Sequence, residues 1–277
     1  MRIGILGAGG MADALGTQWA RAGHAVMISG RDPGRSTARA RKMRAQAGRT
    51  PAAEAAAAEA SFAGTVAGRV AEVSGGEAFA GASADLSTGQ RPAAEGSAGS
   101  AGGAVVAGEA EVRAGTWAEA ARFGEVVMVA VREAGLVDVL QAAGASMRGK
   151  PVIDVTNAAF PDLYDPTRPI ARLIRDLTAG HVVKAFNLCH VDVWRMTPPV
   201  FGGRPLAVPL CGDDPAAMDA ARTLVADLGC TPLNGGGLDR AMHLEATAAF
   251  VIGLWFGGAD AQAILPPLAS SGTHGQG

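Results

Sequence analysis

The sequence predicts an α/β fold, a doubly wound and mainly parallel sheet with a short C-terminal helical extension, and three observations predict it. Short apolar runs recur along the chain at Arg2–Leu6, Ala25–Ser29, Val126–Val131, Pro151–Val155, His181–Phe186, Leu206–Cys211 and Thr231–Leu233. Most are followed by a turn signal and a helix-like stretch, the pattern of βαβ units around a parallel sheet. The chain has 277 residues, enough for a sizeable core, yet it is 48% hydrophobic with only 5% aromatic residues, so alanine supplies much of the apolar count.

The first strand, Arg2–Leu6, runs into Gly7-Ala8-Gly9-Gly10-Met11-Ala12, a GxGxxA turn, and then into a helix over Asp13–Ala22. Gly7 allows a tight turn, Gly9 lets the backbone approach a pyrophosphate, and Ala12 permits close helix–strand packing. The helix N-terminus offers free N–H groups and a positive dipole end to phosphates, with Gly10 and Met11 inside the same turn. This is a dinucleotide-binding fingerprint of the Rossmann type. The second strand ends at Ser29-Gly30-Arg31, with Arg35 one helical turn later. An NAD site places a carboxylate at that strand end, whereas a hydroxyl with guanidinium groups suits a 2′-phosphate. Ser29, Arg31 and Arg35 therefore predict NADP(H).

From about 45 to 113 the sequence is Ala, Gly, Ser and Glu with few large apolar residues. Such a segment buries too little area to offset chain entropy of about 1–2 kcal/mol per residue, so it reads as a disordered insertion. The expected organisation is a nucleotide-binding domain over 1–237 carrying that insertion, a helical extension over 238–265 and a disordered tail over 266–277. Asp213-Asp214-Pro215 reads as a helix N-cap with proline in the first turn. The last helix, from Leu238 to about Phe256, is apolar nearly all round and is expected to be buried, more against a second subunit than in the internal core. Trp255 and Phe256 are its largest side chains.

Ligands of doubly wound sheets sit outside the carboxyl ends of the strands. The positions to weigh are therefore Val131 and Arg132, Thr156 and Asn157, and Asn187 to His190. Asn187 and His190 are the candidate catalytic residues, His190 because imidazole titrates near neutrality, with a structural histidine as the competing reading. Arg240 and His243 share a helix face and either border an acceptor pocket or form a helix-end polar cluster.

The order of these motifs resembles the NADPH-dependent coenzyme F420 reductase family. The resemblance rests on Gly7–Ala12, Ser29-Gly30-Arg31, Gly115-Thr116-Trp117-Ala118-Glu119-Ala120-Ala121, Asp154-Val155-Thr156-Asn157, Lys184-Ala185-Phe186-Asn187, Cys211-Gly212-Asp213-Asp214 and Gly236 to Glu245. It covers about 1–44 and 114–258. It implies a homodimer that moves a hydride between NADP(H) and a deazaflavin, coenzyme F420, as co-substrate. Two features depart from the family: Arg132 stands where a proline is common, near the nicotinamide side, and the insertion is additional.

Three widely spaced cysteines, Cys189, Cys211 and Cys230, predict reduced thiols with neither a disulfide framework nor a metal site. The balance of 24 basic and 26 acidic residues gives no electrostatic basis for nucleic-acid binding. No apolar run is long enough for a signal core or a membrane span, so a cytoplasmic enzyme acting on a small molecule is expected. Two other readings stay open: an NADPH-dependent imine or carbonyl reductase with His190 as proton donor, and a non-enzymatic NADP-sensing module.

Overall fold

The computed structural model describes residues 1–49, 110–158 and 160–260. The first half of the described chain holds β1 (Arg2–Leu6), α1 (Gly10–Arg21), β2 (Ala25–Ser29), α2 (Pro33–Ala47), β3 (Val112–Gly115), α3 (Trp117–Phe123) and β4 (Val126–Val129). There follow α4 (Leu136–Ala143), β5 (Pro151–Asp154), α5 (Ile170–Thr178) and β6 (His181–Lys184). A two-stranded hairpin, β7 (Val200–Phe201) with β8 (Arg204–Pro205), precedes β9 (Ala207–Gly212), α6 (Pro215–Ala226), β10 (Thr231–Gly236) and α7 (Ala241–Phe256).

Eight strands form one sheet in the order β10-β9-β6-β5-β4-β1-β2-β3. Pairing is parallel throughout except at β6 and β9, where Val183 lies opposite Gly212 in an antiparallel step. The chain winds outward from β1 to β2 and β3 on one side and to β4, β5 and β6 on the other. The crevice therefore lies between β1 and β4, where Leu6 is level with both Ser29 and Val129. The expected doubly wound, mainly parallel sheet is the one observed.

Alternation of side chains explains how one sheet feeds two cores. Ile3, Ile5, Val126 and Met128 point to the face covered by α1, α2 and α6, where Leu15, Trp19, Met43 and Leu224 pack. Leu6, Val127 and Val129 point to the other face, against Leu140 of α4 and Ile174 of α5. Trp19 also donates its indole N–H to the Leu224 carbonyl at 3.0 Å, which joins α1 to α6 without leaving a buried donor unpaired.

Four boundaries differ from the sequence reading. The first helix begins at Gly10, three residues before the expected start, so Gly10, Met11 and Ala12 are its first turn. The segment 112–113, assigned to the insertion, belongs to edge strand β3, where Val112 pairs with Val26. Only one large apolar residue occurs in Val112-Arg113-Ala114-Gly115, because an edge strand needs just one anchored face. At the other boundary α2 continues to Ala47. The β7–β8 hairpin has two residues per strand, too few for an alternation signal. The disorder expected of the insertion and of the tail over 266–277 lies outside the described residues.

Asp214 caps α6 by accepting from the Ala217 N–H at 2.8 Å, with Pro215 in the first turn, as its sequence predicts. The last helix is largely uncovered within the chain. Among the described residues α7 buries Ala241, Glu245 and Ala248, while Phe250 is 61% exposed and Phe256 70% exposed. None of the described helices is long and apolar enough to cross a membrane.

Candidate active site at the β1–β4 crevice

The floor of the site is the turn from β1 to α1. Gly7 has φ 143°, and a Cβ there would stand 2.3 Å from the Ala130 carbonyl oxygen, so only glycine fits. Its N–H donates to the Ser29 carbonyl at 2.9 Å and fixes the turn against β2. Gly9 has the opposite surroundings: a Cβ would meet nothing within 4 Å, and the backbone faces open space that a ligand can enter closely. The Asp13 N–H bonds to the Gly9 carbonyl at 3.0 Å and is the first paired donor of α1. The N–H groups of Gly10, Met11 and Ala12 are therefore left for an anion at the positive end of the helix. Ala12 is fully buried in the helix–sheet core. This cradle fits a dinucleotide pyrophosphate.

At the end of β2 the structure divides the predicted phosphate clamp. Arg31 and Arg35 are exposed, and neither has an ion-pair partner among the described residues. Asp32 accepts from the Arg35 N–H at 3.0 Å and caps α2, with Pro33 in the first turn. Ser29 is corrected: it is fully buried, and its hydroxyl donates to the Ile5 carbonyl at 2.9 Å. Its proton is spent on pinning β2 to β1, so the guanidinium groups are what a 2′-phosphate would meet.

On the β4–β6 side, Val131 is half-buried and Arg132 exposed just after β4. Thr156 and Asn157 follow β5, and Thr156 is tied to a buried ionic cluster. Lys184 at the end of β6 is fully buried, with its Nζ 2.9 Å from Asp154 Oδ2 and 3.3 Å from Glu245 Oε1. The same ammonium donates to the Thr156 carbonyl, and Thr156 donates its hydroxyl to Asp154 Oδ1 at 2.6 Å. Glu245 accepts from the N–H groups of Ile170 and Ala171, each at 3.0 Å. The positive end of α5 thus helps balance two carboxylates against one lysine.

Asn187 belongs to this framework. It is buried; its amide donates to Asn157 Oδ1 and to the Leu244 carbonyl, each at 3.0 Å, and Asn157 donates back to the Asn187 carbonyl at 2.8 Å. Its Oδ1 has no hydrogen-bond partner. The preceding Phe186 has φ 58°, a left-handed conformation that costs a non-glycine residue about 1–3 kcal/mol. Edge-to-face contacts with Trp19 and Trp194, at centroid distances of 5.8 and 5.3 Å, hold it there.

His190 follows on a loop that reaches back to α1, where a Cβ on Gly10 would stand 3.3 Å from Val191. Its side chain is 64% exposed, with Nδ1 3.3 Å from Asp192 Oδ2. The structure thus brings Asn187 and His190 onto one connection but into different surroundings, one buried and one open. Arg240 is exposed and donates to the Gly235 carbonyl, closing its own turn, and His243 is also exposed. Cys211 and Cys230 are buried free thiols and Cys189 is half-buried. Burial, and to a lesser degree the neighbouring Cys189, pushes the Cys230 thiol up to about 11, so it is no nucleophile at neutral pH.

A cleft of about 390 Å³ opens beside the ends of β4 and β5, lined by Glu133, Ala158, Tyr164, Arg168, Ile170 and Arg172. Another, of about 310 Å³ around His181, Asp213 and Asp214, lies at the opposite end of β6 from the crevice. The ionic cluster and buried Asp13 were missed in the sequence. A lysine interrupting the apolar run His181–Phe186 was the available signal, since an unpaired charge is excluded from such a strand.

Residues 2–75 match the family model described as NADP oxidoreductase coenzyme F420-dependent. No curated protein sequence matches the chain. Among solved structures, a proposed F420-dependent NADP-reductase from Arthrobacter sp. FB24 is 22% identical with a TM-score of 0.59, covering 94% of this chain and 96% of that one. A hypothetical protein from Sinorhizobium meliloti is 18% identical with a TM-score of 0.57, covering 88% and 89%. A reductive aminase from Aspergillus terreus is 14% identical with a TM-score of 0.52, covering 93% of this chain and 62% of the aminase. At these identities the structures share the fold. Over residues 2–75, which hold the first strand and the cofactor cradle, the sequence is similar to the NADP oxidoreductase coenzyme F420-dependent family.

Proposed function

We propose that the protein transfers a hydride between NADP(H) and coenzyme F420 or a similar planar acceptor. The observation that carries this reading is the family match over 2–75, which falls on a turn whose Gly9 backbone faces open space. The Arthrobacter structure, an F420-dependent NADP-reductase by its description, supports the acceptor assignment. NADPH, when bound, supplies the hydride, and the protein supplies position and electrostatics. The N–H groups of Gly10, Met11 and Ala12 hold the pyrophosphate, and Arg31 and Arg35 hold the 2′-phosphate. Val131, Arg132, Thr156 and Asn157 border the reacting end, with Thr156 held by the ionic cluster and Asn157 by Asn187. Asn187 braces that wall, and His190 supplies the proton that accompanies the hydride.

The deciding experiment mixes purified protein, NADPH and oxidised F420 and follows loss of deazaflavin absorbance. Turnover supports the reading; its absence at saturating substrates removes F420. Turnover of a cyclic imine in its place would favour the imine-reductase alternative.

We also propose that the protein is a cytoplasmic homodimer joined through α7. Phe250, Trp255 and Phe256 are exposed on a helix whose only formally charged residue, Glu245, is buried. Phe250→Ser with Phe256→Ser is expected to convert a dimer to a monomer in light-scattering chromatography. A wild-type protein that elutes as a monomer at micromolar concentration would overturn this.

A further inference from the structure

The loop carrying His190 is anchored to the phosphate-binding helix by a chain of charges. Asp13 sits in the first turn of α1, one residue beyond the fingerprint, and its side chain is only 4% exposed. A buried carboxylate at the end of a helix that receives phosphates repels the ligand unless it is neutralised. Two guanidinium groups neutralise it: Arg39 of α2 lies 3.1 Å from Asp13 Oδ2, and Arg195 lies 3.4 Å from the same oxygen. Arg195 also pairs through its other nitrogen with Asp192 Oδ1, and Asp192 Oδ2 faces His190 Nδ1 at 3.3 Å.

Two further contacts fix the same loop. The Gln18 amide of α1 donates to the Arg195 carbonyl at 3.1 Å and to Thr197 Oγ1 at 3.2 Å, and it lies 3.3 Å from the Trp194 carbonyl. Trp194 closes over Phe186. The His190–Asp192 pair is open to solvent and is weak taken by itself. Its far end is fastened, through Arg195, to a buried carboxylate beneath the cradle.

We propose that Asp192, Arg195 and Asp13 are positioning residues for His190, tying its imidazole to the phosphate-binding turn so that Nε2 is the nitrogen that gives up a proton. This rests on the reading of His190 as proton donor made above. The Asp192 backbone N–H also lies 3.4 Å from Nδ1, a contact that only an unprotonated Nδ1 accepts; in the imidazolium, Nδ1–H is held by the Asp192 carboxylate instead. The acceptor carbon takes the hydride from the reduced cofactor, and the acceptor nitrogen or oxygen takes the Nε2 proton. Neutral imidazole with Nδ1–H still on Asp192 and oxidised cofactor remain. Asp192 from its own loop faces His190, Arg195 faces Asp192 and Asp13 of α1, and Arg39 of α2 stands behind Asp13.

The test uses the full-length protein and two readouts. The Cε1–H resonances of its five histidines are recorded by NMR with and without NADP⁺, and hydride transfer from NADPH is measured. In Asp192→Asn the NADP⁺-induced displacement of the His190 resonance should shrink severalfold and kcat should fall about tenfold, with KM for NADPH unchanged within about twofold. Asp192→Glu should recover most of the rate, Arg195→Ala should lower kcat while Arg195→Lys recovers part of it, and NADP⁺ should move the His190 resonance. An NADP⁺-induced displacement of the His190 resonance that is unchanged in Asp192→Asn, with a slow His190→Ala, would overturn the positioning chain and leave the donor reading standing. A His190→Ala protein as fast as wild type would remove both.

Discussion

The β1–α1–β2 side of the crevice presents backbone to its ligand, whereas the β5–β6 side presents side chains held by a buried ionic cluster. On the first side Gly7 turns the chain, Gly9 leaves space and the opening N–H groups of α1 point outward. Each of these depends on residues adjacent in sequence. On the second side Asp154, Lys184 and Glu245 come from two strands and the last helix, and none has a role until all three meet. The two sides therefore fail differently. In folding stability, the first should tolerate changes of charge and be intolerant of a single methyl group at Gly7, and the second the reverse.

The sharpest way to break that contrast is Lys184→Met, which keeps volume and removes the only fully buried lysine among the described residues. It leaves two carboxylates unbalanced, and a loss of about 4 kcal/mol is expected in denaturant unfolding at pH 7. A loss under about 1 kcal/mol would mean that the α5 N–H groups carry Glu245 unaided. Next is Gly7→Ala, which adds a Cβ 2.3 Å from the Ala130 oxygen at φ 143°. About 3 kcal/mol of stability should be lost in the same assay, together with cofactor binding.

Arg31→Asp tests the charged fringe of the first side without touching its backbone. NADPH affinity should fall about 30-fold, roughly 2 kcal/mol, and NADH affinity much less. Equal losses for the two cofactors would remove Arg31 from the phosphate clamp. The smallest effect concerns Cys230, whose thiol is pushed up to about 11. Iodoacetamide at pH 8 should label it about a hundredfold more slowly than a free thiol, with labelling accelerating between pH 9 and 11. Rapid labelling at pH 8 would show that α6 and β10 open around it.

The uneven legibility of the molecule follows the same division. Strands β1, β2, β4, β5 and β6 were readable because each is a short apolar run closed by a turn, and the cradle because its glycines obey local rules. Strand β3 was hidden, since Val112 alone anchors it and its neighbour Arg113 resembles the segment before it. Ser29 was readable as a residue at the correct place and misread in its role, because its hydroxyl partner, the Ile5 carbonyl, lies across the sheet. The apolar character of α7 was plain, but apolarity states what a helix avoids and says nothing of what covers it, so the choice between core and second subunit was left open.

The sequence by itself determined the strand–turn–helix cradle, the helix caps at Asp32 and Asp214, and the alternation that gives the sheet two buried faces. These depend on backbone sterics and on periods of two and 3.6 residues, which act over a few neighbours. Tertiary structure decided the rest: which carboxylates share Lys184, that Phe186 is held left-handed between two tryptophans, and that Asp13 reaches through Arg195 to Asp192. Such pairings form only when distant segments are desolvated together, where an unpaired charge is costly and a matched one is retained.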